Sequence, residues 1–573
     1  VGEYREQEGS SVRTILASVI LLFCVGNLAF AQDIPQTVTI QANYNELDGK
    51  LPPVWAYFGY DEPNYTYAPN GKKLLAELVA LSPRPVYVRV HNLLTSGDGS
   101  ASLKWGSTNV YTEDAAGNPV YNWVILDRIF DTFINAGVKP LVELGFMPQA
   151  LSTHPEPYRH NFPQGSVNSI YTGWAYPPRD YRKWSDVIFH VVGHLRDRYG
   201  DEAVKTWLWE VWNEPDIGYW QGTPEEFLKL YDFSVDAVTK ALPGARIGGP
   251  DTTGAGSAKS AAFLGLFLEH CTRGRNYVTG RIGSELDFIS FHPKGAPKWL
   301  GDHVQMGIAN QLNSVEKGFA IVASHPEWRS IPIILGEWDP EGCAACSAQQ
   351  NPQNSYRNGP LYACYTAEAL SRTLDLANQK QVSLQGLVTW AFEFEDQPYF
   401  AGFRELATNG IDKPVLNSFR MFGLLGEERV KAASSGSLDT ANIIQSGVRG
   451  AADIGVLATR KSHEVEILVW NYHDDDLAAP AVPIELVLNG LPKDLTPALV
   501  EHYRVDAGHS NAFAEWKALG SPQSPGAAEY EKIEAAGQLQ LLNSPAWEPV
   551  ENGAVRLRFF LPRQALSLVR LAW

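Results

Sequence analysis

Short runs of apolar, largely β-branched residues alternate with longer helical patterns through the first two thirds of the chain. The strand-like runs are Val54–Phe58, Val86–Val90, Pro140–Leu144, Trp207–Val211, Ala245–Gly248, Phe288–Phe291, Ile331–Leu335 and Leu387–Trp390. Between them lie helix-length segments such as Trp123–Asn135 and Trp184–Tyr199. Alternating β and α units predict a parallel sheet. Eight such units predict a (β/α)8 barrel over 51–428. One helix reads in detail. Thr223-Pro224-Glu225-Glu226 is a capping box with proline at the first helical position. Phe227, Leu230, Tyr231, Val235, Val238 and Leu242 then recur at helical spacing, and Pro243-Gly244 stops the run.

The texture changes after about Gly426. Val465–Trp470, Ile484–Leu488, Val500–Val505 and Val555–Phe560 read as short strands with polar and Gly/Pro connections. Residues 429–573 are therefore expected to form a β-sandwich. The segment 32–50 holds Val38–Ala42, which adds a strand to it. The fold class is α/β, a TIM barrel with a C-terminal β-sandwich domain. The chain shows no internal repeat and no low-complexity tract.

Length and composition narrow the function classes. At 573 residues the chain accommodates two to four domains, or one large barrel with an appendage. A hydrophobic content of 45% excludes a disordered protein. A net charge of −17 leaves no basic footprint for nucleic acid. A single long apolar run excludes a multi-span membrane protein. That run, Ile15–Val25, follows Arg13 and precedes Ala29-Phe30-Ala31. Residues 1–31 thus read as a signal peptide, with a secreted or periplasmic destination, although the acidic stretch before Arg13 is unusual for one. The run is too short for a membrane anchor, and a buried N-terminal helix is the alternative. Cys24 would leave with the signal. Cys343-Ala-Ala-Cys346 has no second CxxC or His pair at zinc spacing. Cys271, Cys343, Cys346 and Cys364 are then either disulfide partners or free thiols. With 17 Trp and 24 Tyr, the aromatic excess suits a sugar-stacking cleft or a large packed core equally.

Two segments carry chemistry. Trp207-Leu-Trp-Glu-Val-Trp-Asn213-Glu214-Pro215 is an apolar strand ending in a carboxylate, and Pro215 forbids further sheet pairing. Ile331-Pro-Ile-Ile-Leu-Gly-Glu337 is a second. By the strand count they are strands four and seven, and both acids face the barrel mouth where active sites of this fold lie. Two carboxylates across one cleft, without a metal motif or a cofactor motif, suit glycoside hydrolysis. One protonates the leaving oxygen; the other attacks the anomeric carbon or activates water. A lone glutamate at either place would be as well explained as a surface or ion-pair residue. The pair is not.

The sequence resembles glycoside hydrolase family 39, which holds β-xylosidases and α-L-iduronidases. The resemblance rests on Asn213-Glu214-Pro215, Gly336-Glu337-Trp338, Gly59-Tyr-Asp-Glu-Pro-Asn-Tyr65, Arg89-Val-His91, Glu143-Leu-Gly-Phe146-Met-Pro148, Gly248-Gly-Pro250, Phe291-His292 and Thr389-Trp390. In the tail it extends to Val469-Trp-Asn-Tyr472 and Tyr503-Arg-Val-Asp506. It implies Glu214 as acid/base and Glu337 as nucleophile. Asn213 would bind the sugar 2-hydroxyl, Arg89, His91 and His292 would line the pocket, and Phe146 and Trp390 would form its apolar wall. From the residues alone, Arg89 reads equally as a partner of a barrel carboxylate, and the histidines as satisfied core residues.

One segment departs from the xylosidase pattern of His-x-Tyr after strand six. Here it is His292-Pro293-Lys294-Gly295-Ala296. It resembles the iduronidase branch, where the lysine meets a substrate carboxylate. With a neutral pentose, Lys294 is instead expected to be neutralised by Glu393 or Glu395 after strand eight, or by Glu337. The expectation is an exported retaining exo-glycosidase acting on plant-wall oligosaccharides, first a β-D-xylosidase. An α-L-iduronidase-like or α-L-arabinosidase activity comes second. A non-catalytic carbohydrate-binding protein is the rival of another class, and the paired carboxylates with Asn213 speak against it.

Overall fold

The computed structural model describes residues 36–160, 170–495 and 497–573. The segment read as a signal peptide lies outside them. Eight parallel strands close into a barrel in chain order: Tyr57–Tyr60, Tyr87–Val90, Lys139–Leu144, Leu208–Val211, Arg246–Thr253, Phe288–His292, Pro332–Leu335 and Ser383–Trp390. Each falls on a run read from the sequence. The last closes on the first through Val388, Thr389 and Trp390 paired with Tyr57, Phe58 and Gly59. Most helices between them bury an apolar stripe against the sheet, whereas Pro360–Lys380 is buried nearly all round. The helix Pro224–Ala241 opens on the expected capping box: Glu226 N donates to Thr223 Oγ1 at 3.1 Å, and Thr223 N donates to Glu226 Oε2 at 2.7 Å.

A second sheet occupies the C-terminal part. Its strand order is Gln540–Leu541, Ala498–Val505, Ala565–Ala572, Glu464–Tyr472, Asp453–Lys461, Glu428–Ser434, Val38–Lys50, Val482–Asn489 and Val555–Leu561. Val38–Lys50 pairs antiparallel with Glu428–Ser434 and parallel with Val482–Asn489. The hydrogen-bonded path is continuous. Ile40, Ile467, Leu486, Val500, Val555 and Leu571, drawn from both halves of that path, share one apolar core. The sheet thus folds over itself in sandwich fashion.

The two parts are fastened by charge as well as by apolar contact. The barrel helix Pro360–Lys380 presents Glu368 and Arg372 to the sheet. Arg372 Nη2 lies 2.8 Å from Asp453 Oδ2, Arg372 Nε lies 2.8 Å from Glu368 Oε1, and Trp470 Nε1 donates to Glu368. All four side chains are buried.

Candidate active site

The strand register places charge inside the upper barrel. Glu143 on strand three is the register partner of Glu210 on strand four. Two adjacent buried carboxylates repel, and neither can be solvated. Arg89, from strand two, answers both: its Nη2 lies 3.0 Å from Glu143 Oε2 and its Nε 2.5 Å from Glu210 Oε2. The same guanidinium pairs with Asp251 and donates to Asn213 Oδ1 at 3.4 Å. Arg89 is therefore a partner of barrel carboxylates, one of the two readings the sequence allowed, and it is fully buried beside Asn213. Burial, with the Asp251 charge second, pushes the Glu210 carboxyl up to about 7 despite Arg89.

Asn213 and Glu214 follow strand four in a tight turn. Trp212 and Glu214 both adopt left-handed backbone, at φ 71° and 43°. Trp212 Nε1 donates to Tyr219 O at 2.9 Å, and Glu214 N donates to Asp251 O at 2.9 Å, so the turn is held at both ends. Glu337 follows strand seven through Gly336. A Cβ at Gly336 would lie 2.2 Å from Asp251 Oδ1 and 2.9 Å from His292 Nε2, so only glycine fits there. One carboxylate oxygen of Glu214, one of Glu337 and one ring nitrogen of His292 all lie within 4.8 Å of one another.

The two carboxyls are driven apart in proton affinity. Burial raises the pKa of Glu214; His292 partly offsets this and the charge of Glu337 adds to it. Burial would raise Glu337 too. The cations Lys294, His292 and His91 outweigh that and hold Glu337 well below the usual carboxylate range. Its Oε1 lies 3.7 Å from both His91 Nε2 and His292 Nδ1, and 3.9 Å from Arg89 Nη1. One acid is thus protonated more readily than usual while its neighbour stays ionised, the division of roles that acid/base chemistry on a sugar requires.

Lys294 reaches Glu337 directly. Its Nζ lies 2.6 Å from Glu337 Oε2 and 2.8 Å from Asp339 Oδ2. Of the three partners expected for it, Glu337 is the one it meets. Glu393 and Glu395 are elsewhere: Glu393 accepts from Gly410 N and Glu395 from Asn70 N. Both are taken up by backbone N–H groups of neighbouring segments, so proximity in sequence order does not bring them to Lys294. Asp339, two residues beyond Glu337, takes their place. It is fully buried, accepts from Trp390 N at 2.9 Å and lies 3.5 Å from Arg404 Nη1. Arg404 also pairs with Glu341, and Glu341 with Arg357. Arg357 donates to the carbonyls of Cys343, Cys346 and Gly402. Cys343 and Cys346 form a disulfide, whereas Cys271 and Cys364 are free and buried.

His91, Phe146 and Trp390 form one packed group. The His91 ring is 4.3 Å from that of Trp390 and 5.9 Å from that of Phe146. His91 Nδ1 lies 2.8 Å from Asp61 Oδ1, and Nε2 lies 2.9 Å from Glu143 Oε2. Burial disfavours its charge, but these carboxylates raise it to about 9. Asp61 also meets Lys104 Nζ at 2.5 Å and Trp390 Nε1 at 3.2 Å. Beyond Phe146 the wall continues through Tyr219, stacked at 5.8 Å, and His160, stacked on Tyr219 at 4.8 Å.

The structure thus brings all nine sequence-named residues, Arg89, His91, Phe146, Asn213, Glu214, His292, Lys294, Glu337 and Trp390, into one cluster. Sequence reasoning passed over Asp251, Asp339, Asp61 and Tyr219. Asp61 sat inside a quoted motif and Asp251 directly after one, and their acidity at an otherwise apolar strand end was the available signal. Glu214, His292 and Glu337 are spaced like metal ligands. However, His292 hydrogen-bonds through Nδ1 to Glu214 at 3.0 Å, and its Nε2 is in ion-pair contact with Asp251 Oδ1 at 2.7 Å. Burial lowers its pKa and the Asp251 and Glu337 charges raise it, to about 10 overall. An imidazolium has no lone pair for a metal.

Comparison with known proteins fits this geometry. Residues 85–547 match the family model for glycosyl hydrolases family 39. The chain is 26% identical over 502 residues to a β-xylosidase of Geobacillus stearothermophilus, covering 85% of this chain and 86% of that one. It is 24% identical over 481 residues to the α-L-iduronidase of Mus musculus, covering 79% and 68%. Among solved structures, a bacterial orthologue of human α-L-iduronidase superposes with a TM-score of 0.73 at 20% identity, covering 94% of this chain and 84% of that one.

Proposed function

The chain belongs to glycosyl hydrolases family 39, and from that premise we propose that it is a retaining exo-glycosidase, specifically a β-D-xylosidase trimming non-reducing ends of plant-wall oligosaccharides. The observation that carries the mechanism is the Glu214–Glu337 pair, with oxygens within 4.8 Å and proton affinities pushed in opposite directions. Retaining enzymes hold their carboxyls about 5–5.5 Å apart, against about 6.5–9.5 Å for inverting ones. In the first step Glu337 attacks the anomeric carbon while Glu214 gives its proton to the departing oxygen. In the second, Glu214 takes a proton from water, which displaces Glu337 from the sugar. Asn213, anchored by Arg89, is placed to bind the 2-hydroxyl, as the family resemblance implies.

Charge balance supports a neutral sugar. Lys294 is shared between two carboxylates, Glu337 and Asp339, and beyond it Arg404 and Arg357 face Asp339 and Glu341. The lysine nearest the pocket is thus already paired twice within the protein. A uronide reading has one observation in its favour: the Lys294 side chain is 18% exposed and within reach of a sugar seated on Glu337. The kcat/KM ratio for a xyloside and an iduronide decides between them, the xyloside being preferred on the present reading. Within the same panel, Glu337→Ala should abolish turnover, and azide should restore it with formation of a glycosyl azide of inverted configuration. Silence of the wild type across the panel, with sugar binding retained, would refute the reading altogether. We further propose that the protein works outside the cytoplasm; the Cys343–Cys346 disulfide supports an oxidising compartment.

A further inference from the structure

Asp251 is an aspartate at a place the backbone reserves for few residues. It sits at a bulge in strand five with φ 54°, between Pro250 and Thr252, and is fully buried. It makes three connections at once. One carboxylate oxygen pairs with Arg89, and the other lies 2.7 Å from His292 Nε2. Its carbonyl accepts from the backbone N of Glu214.

The second connection decides which way His292 can act. A ring nitrogen 2.7 Å from a carboxylate must carry a proton, because two acceptors would repel. A neutral imidazole would then be bare at Nδ1, the atom 3.0 Å from Glu214 Oε1. A bare Nδ1 would draw the proton of Glu214 onto Oε1 and hold it there. An imidazolium does the opposite. It donates from Nδ1 to Oε1 and leaves Oε2 as the oxygen that carries the transferable proton. The groups facing His292 are Asp251 from strand five, Glu214 after strand four and Glu337 after strand seven, all carboxylates.

Resting on Glu214 as the acid/base, we propose that Asp251 is a positioning residue that keeps His292 a double donor and so confines the Glu214 proton to Oε2. Asp251 touches no substrate; it acts through the ring. No covalent step is added to the mechanism, and the proton moves only between Glu214 Oε2 and the leaving oxygen.

Asp251→Gly tests this directly. Glycine adopts left-handed backbone freely, keeps the carbonyl that holds Glu214, and removes the carboxylate from His292. Asparagine would not serve, because with its oxygen on Arg89 its amide N–H would face Nε2 and leave Nδ1 the donating nitrogen. The substrates are glycosides of the accepted sugar, graded from a dinitrophenyl to an alkyl leaving group, with Glu214→Gln run alongside. The expected result is a loss of about 10²-fold in kcat/KM on the alkyl glycoside, within the range of a positioned general acid, and little loss on the dinitrophenyl one. An equal loss on all leaving groups in Asp251→Gly, with a graded loss in Glu214→Gln, would overturn the proposal and leave the acid/base assignment standing. A flat response in Glu214→Gln would overturn that assignment, and this proposal with it. The second measurement is the 15N spectrum of histidine-labelled protein at pH 8, with His292 assigned by His292→Gln. Imidazolium in the wild type and neutral imidazole in Asp251→Gly are expected. Should the variant not fold, a neutral His292 in the wild type alone refutes the idea.

Discussion

Replacing Lys294 by methionine removes the cation nearest the proposed nucleophile while keeping most of the side-chain volume. In the wild type Nζ stands 2.6 Å from Glu337 Oε2 and 2.8 Å from Asp339 Oδ2. Two unit charges about 4 Å apart interact by ~1 kcal/mol in water and ~4 kcal/mol at an effective dielectric constant of 20. Lys294 is 18% exposed and Glu337 7%, so the pair falls between those limits. About 1.5–3 kcal/mol of the stabilisation of ionised Glu337 should disappear, which is about one to two pH units. The sign follows from the direction of the shift. Glu337 must be ionised to attack, and Lys294 is the leading cation holding its proton affinity down. Without it, the acid limb of the pH profile of kcat/KM should move upward by one to two units. His292 and His91 remain, so the nucleophile should still ionise by neutral pH. The assay is kcat/KM on the preferred nitrophenyl glycoside, in brief incubations from about pH 2 to 8 with refolded activity checked at pH 6, wild type against Lys294→Met. An acid limb that stays within about 0.3 unit of the wild type, in a variant that folds, would show that Lys294 does not hold the nucleophile ionised.

Further outcomes follow from the same network. Glu214→Ala should flatten the basic limb with a good leaving group, since departure then needs no proton; an unchanged limb would point to a different acid. Arg89→Met leaves Glu143, Glu210 and Asp251 buried without their shared cation, and a loss of about 3–5 kcal/mol should appear as a much lower melting temperature or as insoluble protein. His91 and His292, raised to about 9 and about 10, stabilise the fold fully below their unfolded value near 6.5 and lose that contribution as pH rises through 9 and 10; melting temperature measured from pH 6 to 10.5 should fall across that window. Arg357→Ala frees the disulfide loop from its contacts through the Cys343, Ala344 and Cys346 carbonyls and from Glu341; limited proteolysis should then cut near 341–358, where the wild type resists.

The barrel strands were legible because each carries its own apolar run, bounded by turn residues, and the paired glutamates because each ends such a run. What escaped the sequence was decided by direction rather than by composition. Glu393 and Glu395 follow strand eight as closely as Asp339 follows strand seven, yet they accept from Gly410 N and Asn70 N and only Asp339 meets Lys294. That difference comes from the backbone bridge between Lys294 and Asp339, which extends strands six and seven side by side past the barrel rim. Asp251 lies just past the quoted Gly248-Gly-Pro250 segment, and its position depends on a bulge that no periodicity reveals. In the second sheet, Glu428–Ser434, Asp453–Lys461 and Ala565–Ala572 were missed. The first two mix charged and small residues, and the third follows directly on a turn after a strand already recognised. Cys343 and Cys346 could be bridged or free by spacing alone; the loop conformation that Arg357 holds brings them together.

The first strand of the second sheet has a consequence for how the chain is made. Thr39 hydrogen-bonds to Ser435, 396 positions later, and the strand beyond it, Val482–Asn489, is later still. A ribosome adding about 5–20 residues per second would expose Val38–Lys50 for roughly 20–80 seconds before its first partner emerges. For that interval it is an unpaired strand edge with nothing native to bind. The strand itself shows how this is survived: its second half, Asn43-Tyr-Asn-Glu-Leu-Asp-Gly-Lys50, is polar and largely exposed in the finished protein. The barrel is synthesised as an insertion within the sheet, so it can fold while the sheet waits. A cut anywhere inside the barrel during that wait would separate the two halves of the sheet for good.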